Sequence, residues 1–273
     1  MSDSVMKLES SDTLYIRISQ LEFIFARYDH LRPQTLNYSN YMVKPDISLN
    51  ANMHEALQKM SLTHGDFSFV RVLVEGPVTL VPLSDFDEEM AEEIYFFNLP
   101  EQRKRRRVFY DTLSHQESVL LFSVDKDVCH TIEETFPNLL FQSSETPQLL
   151  HFASCSPISS SEGRLFVSIM ERRMSVCLLR NGKIKQYNSF RLHHTQDAAY
   201  YTLRMAQLCG FLPEKDCLYI CGRSPLAEQL HGELSPYLPN VELLKAEEEF
   251  NANVAALQKD LPYDMITLLL RAY

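Results

Sequence analysis

Residues 164–192 read RLFVSIMERRMSVCLLRNGKIKQYNSFRL, and three strands can be traced through them. Arg164 to Met170 and Met174 to Arg180 are short apolar runs parted by a Glu171-Arg172 turn. Asn181-Gly182 then supplies the favoured two-residue hairpin connection, because both of its positions need positive φ. Lys183 to Leu192 follows as the third strand. Downstream, a helix starts at Thr195 or Asp197 and ends at Gly210, with Leu203 and Ala206 on one face. Leu218 to Cys221 reads as a strand, and Ser224-Pro225 caps a helix carrying Leu226, Leu230, Leu234 and Tyr237. Val241 to Leu244 reads as a strand. Phe250, Val254, Leu257 and Leu261 then recur at helical spacing, and Asp264 caps a last apolar segment, Met265 to Leu270.

The same order of elements stands upstream. Leu14 to Ile18 and Leu21 to Tyr28 form a hairpin across Ser19-Gln20, and Leu36 to Val43 gives a third strand. Met53, Ala56, Leu57 and Met60 mark an amphipathic helix behind Asn50 or Asn52 as cap. Phe67 to Val74 and Val78 to Leu83 read as strands, and Ser84 opens a helix with Met90, Ala91, Ile94 and Phe97 inward. A smaller unit follows: strands Arg106 to Leu113 and Ser118 to Val124, a helix capped by Asp125, and a short strand at Leu139 to Phe141. Thr146-Pro147 opens a helix through about Ala153, and Ser154 to Gly163 reads as a linker. The fold class is therefore α/β, two tandem βββαβα halves. The first spans residues 10–155, including a small inserted α/β subdomain over about 106–143; the second spans 164–273.

Composition restricts the chemistry. The 273 residues contain seven glycines, against roughly nineteen at average usage of ~7%. Phosphate-wrapping loops need glycine, because only a bare Cα lets backbone approach closely. Neither G-x-G-x-x-G nor G-x-x-x-x-G-K-[ST] occurs, which disfavours P-loop and dinucleotide-binding enzymes. A net charge of −10 disfavours a dedicated nucleic-acid binder. The polar Met1 to Asp12 stretch and the absence of a long apolar run predict a cytoplasmic protein without a transmembrane segment.

Other clusters are weak. The six cysteines (Cys129, Cys155, Cys177, Cys209, Cys217 and Cys221) read as ordinary small residues rather than a disulfide framework. His193-His194 would point to opposite faces of a strand, so no metal site is expected. Arg103, Lys104, Arg105, Arg106 and Arg107 form the densest charge run. It reads as a solvated or internally paired stretch, with contact to phosphate, lipid headgroups or an acidic protein as the alternative.

The duplicated pattern resembles the actin-like ATPase superfamily, with its duplicated ribonuclease-H-like core. Within it the chain looks most like an uncharacterised bacterial family with that fold. It is more distantly similar to the actin-like proteins of type IV pilus assembly and cell division. The resemblance runs from Leu14 to Ala272, and the insertion resembles the extra subdomain of the pilus and division branch. Such ATPases carry Asp-x-Gly in each phosphate loop and paired glycines in the adenosine motif. The resemblance places the first pair on Arg17 and Ser19, the second on Ser168 and Met170, and the glycine pair on Cys221-Gly222. A cation at Arg17 repels Mg²⁺ where a carboxylate should order its water, and Met170 fills space that phosphate needs. The expectation is a catalytically degenerate actin-like scaffold that needs no cofactor and binds a protein partner near the small unit or the interdomain cleft. The alternatives are a weak ATPase or sugar-kinase-like phosphotransferase, and a nucleic-acid-associated factor acting through Arg103 to Arg107.

Overall fold

The computed structural model describes residues 13–270 except 31, 33, 63–66, 101–102, 156–161 and 171. Met1 to Asp12, most of the expected linker and Glu171 therefore lie outside the described residues. The first sheet contains β1 (Thr13–Ile18), β2 (Glu22–Tyr28), β3 (Leu36–Met42), β4 (Phe69–Val74) and β8 (Leu139–Ser143) in the order β3-β2-β1-β4-β8. Its first three strands are antiparallel, while β4 and β8 continue it in parallel. The second sheet repeats this arrangement with β9 (Arg164–Met170), β10 (Arg173–Arg180), β11 (Lys183–Arg191), β12 (Cys217–Cys221) and β13 (Val241–Leu243), ordered β11-β10-β9-β12-β13.

The central strands β1 and β9 are buried along nearly their whole length because helices cover both faces of each sheet. On the outer faces, α1 (Leu49–Lys59) and α3 (Lys126–Thr135) cover the first sheet, and α5 (Gln196–Leu208) and α6 (Pro225–Leu234) cover the second. On the inner faces, α4 (Glu145–Cys155) packs against α8 (Tyr263–Leu270) between the two sheets. One apolar core joins them, with Tyr15, Leu73, Leu149 and Phe152 from one half and Phe166, Cys177, Tyr263 and Met265 from the other. No helix among the described residues is long and apolar enough to cross a membrane.

Local signals hold where the chain chemistry is local. Asn181 and Gly182 take φ of 54° and 68°. The Ser224 side chain accepts from the Leu226 amide with Pro225 in the first turn, and Asp125 caps α3. The cap of α1 is Ser48 instead of Asn50 or Asn52. Asn52 is buried and binds the Lys44 amide and the Tyr41 hydroxyl, tying β3 to the helix. Ser84 lies in a single 3₁₀ turn, and Asp87 caps the turn that leads into α2 (Ala91–Asn98).

The expected insertion over about 106–143 differs at both ends. β5 (Val78–Pro82) pairs with β7 (Ser118–Asp125), which pairs with β6 (Arg106–Leu113), so the inserted sheet begins soon after β4. Leu139–Ser143 instead pairs with β4 as the edge of the main sheet. Tyr95 and Phe96 of α2 pack on Val81, Val119 and Leu121, giving the inserted unit its own small core. The other correction lies at Phe250 to Leu261, which forms turns after α7 (Ala246–Glu249) in place of a helix. Asn251 and Ala252 have positive φ. The Arg223 guanidinium donates to the carbonyls of Ala256 and Gln258. The Ala256 carbonyl is one that a continuous helix would have given to the Asp260 amide.

Candidate functional site

Of the six positions that the resemblance assigns to nucleotide loops, Arg17, Ser168 and Met170 contact the other half, and Ser19, Cys221 and Gly222 contact their own. Arg17, on β1, is fully buried, and its Nε meets Asp264 Oδ2 of α8 at 2.7 Å. Asp264 is itself fully buried, so both charges are removed from water. Ser19 Oγ accepts from the amides of Leu21 and Glu22 and closes the β1–β2 turn. In the other half, Ser168 Oγ donates to Gln148 Oε1 of α4 at 2.6 Å. The Gln148 amide nitrogen in turn reaches the Met170 sulfur. The corresponding positions on β1 and β9 thus each reach across to the other half's helix.

Cys221 is buried against the Val167 carbonyl. Gly222 is the one glycine kept from the pair, and its role is steric. With φ of +127°, a Cβ there would stand 2.3 Å from the Ile169 carbonyl oxygen. Beside these residues a cavity of about 230 Å³ remains, lined in part by Arg17, Met170, Arg223 and Tyr263. That is below the ~300–1,000 Å³ of ordinary ligand pockets.

A second cross-half pair joins Arg173 Nε to Glu75 Oε1 at 3.2 Å, with the carboxylate buried. Nearby, Glu145 begins α4 and is also buried. Burial pushes its carboxyl up from 4.5 to about 7, against the opposing pull of its hydrogen bond with Ser175 and of Arg173. The native state therefore holds a proton that the unfolded chain releases near 4.5. Stability from this group is full below that pH and is lost as pH rises to about 7. Glu145→Gln, which keeps the shape and the hydrogen-bonding capacity toward Ser175, should flatten this decline. At pH 7.5 it should stabilise the fold by on the order of 3 kcal/mol, measured by urea unfolding at pH 5 and 7.5.

One cluster was missed in the sequence. His151 Nε2 lies 2.5 Å from Glu249 Oε1, and Cys155 Sγ lies 3.8 Å from His151 Nδ1. Tyr263 donates its hydroxyl to the other Glu249 oxygen at 2.6 Å. Burial opposes charge on the imidazole, but Cys155 and Glu249 outweigh it and raise the His151 pKa. One His nitrogen, one thiol sulfur and one carboxylate oxygen thus lie within 4.8 Å of one another, a donor set zinc accepts. No fourth His, Cys, Asp or Glu joins them among the described residues. The arrangement is a buried histidine–carboxylate pair with an exposed thiol at its edge. The spacing His151-x-x-x-Cys155 is the signal that sequence reading could have used. The linker reading of Ser154 to Gly163 hides it, because α4 extends through Cys155.

The basic run does not form one surface. Arg103, Lys104 and Arg105 are exposed on the turn before β6. Strand alternation then separates the last two. Arg107 Nη1 bonds Glu133 at 2.8 Å, while Arg106 Nε donates to Ser123 Oγ at 2.7 Å. His193 and His194 both give their amides to Asp197, so they shape the entry to α5.

The model of the family described as "Protein of unknown function (DUF3822)" matches residues 5–241. The chain belongs to that family. Among solved structures, the DUF3822 chain is similar to a Bacteroides thetaiotaomicron protein with an actin-like ATPase fold and unknown function. Identity is 25% with a TM-score of 0.79, covering 92% of this chain and 96% of the other. It is also similar to a chain of the PilM–PilN type IV pilus biogenesis complex. There identity is 14% with a TM-score of 0.60, covering 96% of this chain and 98% of that one. No curated protein matches it. The fold is that of the actin-like ATPases, as the duplicated pattern led one to expect.

Proposed function

We propose that this DUF3822 protein is an actin-fold binding module that does not cycle nucleotide. The observation that carries the reading is the buried Arg17–Asp264 pair, because the resemblance assigns the Arg17 position to the magnesium-ordering carboxylate of such ATPases. The Glu75–Arg173 pair and the 230 Å³ remnant beside Met170 support it, because domain closure on a nucleotide needs a cleft that can open. A protein partner is in keeping with the PilM–PilN complex, whose chain has this fold. The division of Arg106 and Arg107 between two neighbours weakens the nucleic-acid reading, which needs a continuous cationic face.

Titration calorimetry of the wild-type chain with ATP and Mg²⁺ tests this. Flat heats and no phosphate release are expected. Saturable micromolar binding, or release above the buffer rate, would support the phosphotransferase alternative instead.

A further inference from the structure

Three chemically different donors face one point where α4 meets α7. His151 and Cys155 are four residues apart on α4, and helical spacing puts both side chains on one face. Glu249, the last residue of α7, brings a carboxylate to them from the other half. His151 Nε2 lies 2.5 Å from Glu249 Oε1 and 3.9 Å from Cys155 Sγ. One donor atom from each residue falls within 4.8 Å of the other two. No short metal motif announces the group in the sequence, because its third member is 98 residues from the first.

An outer layer of contacts holds these donors in place. The Tyr263 hydroxyl donates to Glu249 Oε2 at 2.6 Å, which leaves Oε1 turned to the histidine. A hydrogen bond to the far oxygen of a ligating carboxylate is the usual support of a metal site. The His151 ring is fully buried and stacks on Phe250, with centroids 4.9 Å apart. Cys155 is exposed and gives an ion a way in. Tetrahedral zinc, with bonds of ~2.0 Å to nitrogen and oxygen and ~2.3 Å to sulfur, sets nitrogen about 3.3 Å from oxygen and about 3.5 Å from sulfur. Sγ already stands near that distance. Oε1 has to retreat by less than about 1 Å, a shift open to the Glu249 side chain, which is 16% exposed. A thiolate and a carboxylate together cancel the two charges of Zn²⁺, so the complex adds no net charge to a largely buried place.

We propose that His151, Cys155 and Glu249 bind Zn²⁺, with water in the fourth position. Mg²⁺ and Ca²⁺ take oxygen ligands, whereas a mixed nitrogen, sulfur and oxygen set suits zinc. Three protein ligands with one open place is the form in which zinc keeps an exchangeable ligand, in contrast to the closed four-ligand structural sites. The neutral imidazole coordinates through Nε2, and the Cys155 thiol releases its proton to the buffer as the ion binds. Zinc here ties α4 of the first half to α7 of the second. The site stands apart from the Arg17–Asp264 pair, so its occupancy and the loss of nucleotide cycling are separate questions.

The test uses the full chain, stripped with EDTA, freed of chelator and kept reduced, with Co²⁺ as the spectroscopic probe. One Co²⁺ per chain should give the visible absorption of a tetrahedral ion and a thiolate-to-cobalt charge-transfer band, and Zn²⁺ should displace it. Cys155→Ser should abolish the charge-transfer band. It should also weaken Zn²⁺, measured by competition with a chromophoric chelator, by at least about tenfold, since a direct ligand matters no less than its outer-shell partner. Glu249→Gln should weaken Zn²⁺ too, yet keep the band. Cys217→Ser, at a half-buried thiol outside the cluster, should change neither. If metal-free Cys155→Ser melts below wild type, the wild-type thiol itself provides the readout. Zn²⁺ should then slow alkylation of Cys155 by iodoacetamide and leave Cys217 unaffected, as mapped by peptide mass spectrometry. Absence of tetrahedral cobalt absorption overturns the proposal, as does a charge-transfer band that survives Cys155→Ser or alkylation of Cys155 that ignores Zn²⁺.

Discussion

Arg17→Met should lower the unfolding free energy by about 3–5 kcal/mol, because it leaves Asp264 buried as an uncompensated charge. The two groups meet at 2.7 Å with side chains 1% and 0% exposed, so each is the other's charge partner away from bulk water. Asp264→Leu should cost a similar amount for the mirror-image reason. The double variant Arg17→Met/Asp264→Leu should recover most of the loss, since paired apolar side chains avoid the desolvation that both ions suffer. Urea unfolding followed by circular dichroism gives the three values. Additive losses in the double variant would show that the pair is not a coupled unit. The pair also joins the two halves, so Arg17→Met should broaden or split the transition if the halves then unfold separately.

Gly222→Ala should destabilise the fold by roughly 2–6 kcal/mol. Backbone strain of about 1–3 kcal/mol at φ of +127° adds to about 1–3 kcal/mol of overpacking. The obstruction is a backbone oxygen, Ile169 O at 2.3 Å, on a strand bonded to neighbours on both sides. No side-chain rotation can relieve it. Gly232→Ala is the control. It lies exposed in α6 with nothing within 4 Å of the added methyl, and there alanine should stabilise by about 0.5–1 kcal/mol. Thermal melts of both variants would separate a steric requirement at Gly222 from a general effect of glycine replacement.

The low glycine count thus takes a specific form. Ser19, Met170 and Cys221 stand where the resemblance places glycines, and each is fastened into the protein: Ser19 in a turn, Met170 against Gln148, Cys221 against β9. The retained Gly222 serves close chain packing, a role that says nothing in favour of adenosine binding.

The sequence by itself determined most of the elements and their duplication. Strand periodicity, the Asn181-Gly182 turn and the Ser224-Pro225 cap act through neighbouring residues, and a chain segment expresses them wherever it lies. The family resemblance alone assigns Arg17 and Met170 to nucleotide-loop positions. Only the tertiary structure decided what those residues meet. Asp264 is 247 residues from Arg17, and His151 is 98 from Glu249. Arg223 binds the Ala256 and Gln258 carbonyls within the turns that replace a helical pattern at 250–261, and Arg106 leaves a run of five cations for a cavity shared with Arg172, Arg173 and Arg191. Periodicity sets which face of an element is apolar. Which charges are brought together depends on how two sheets close on α4 and α8, and no local spacing encodes that.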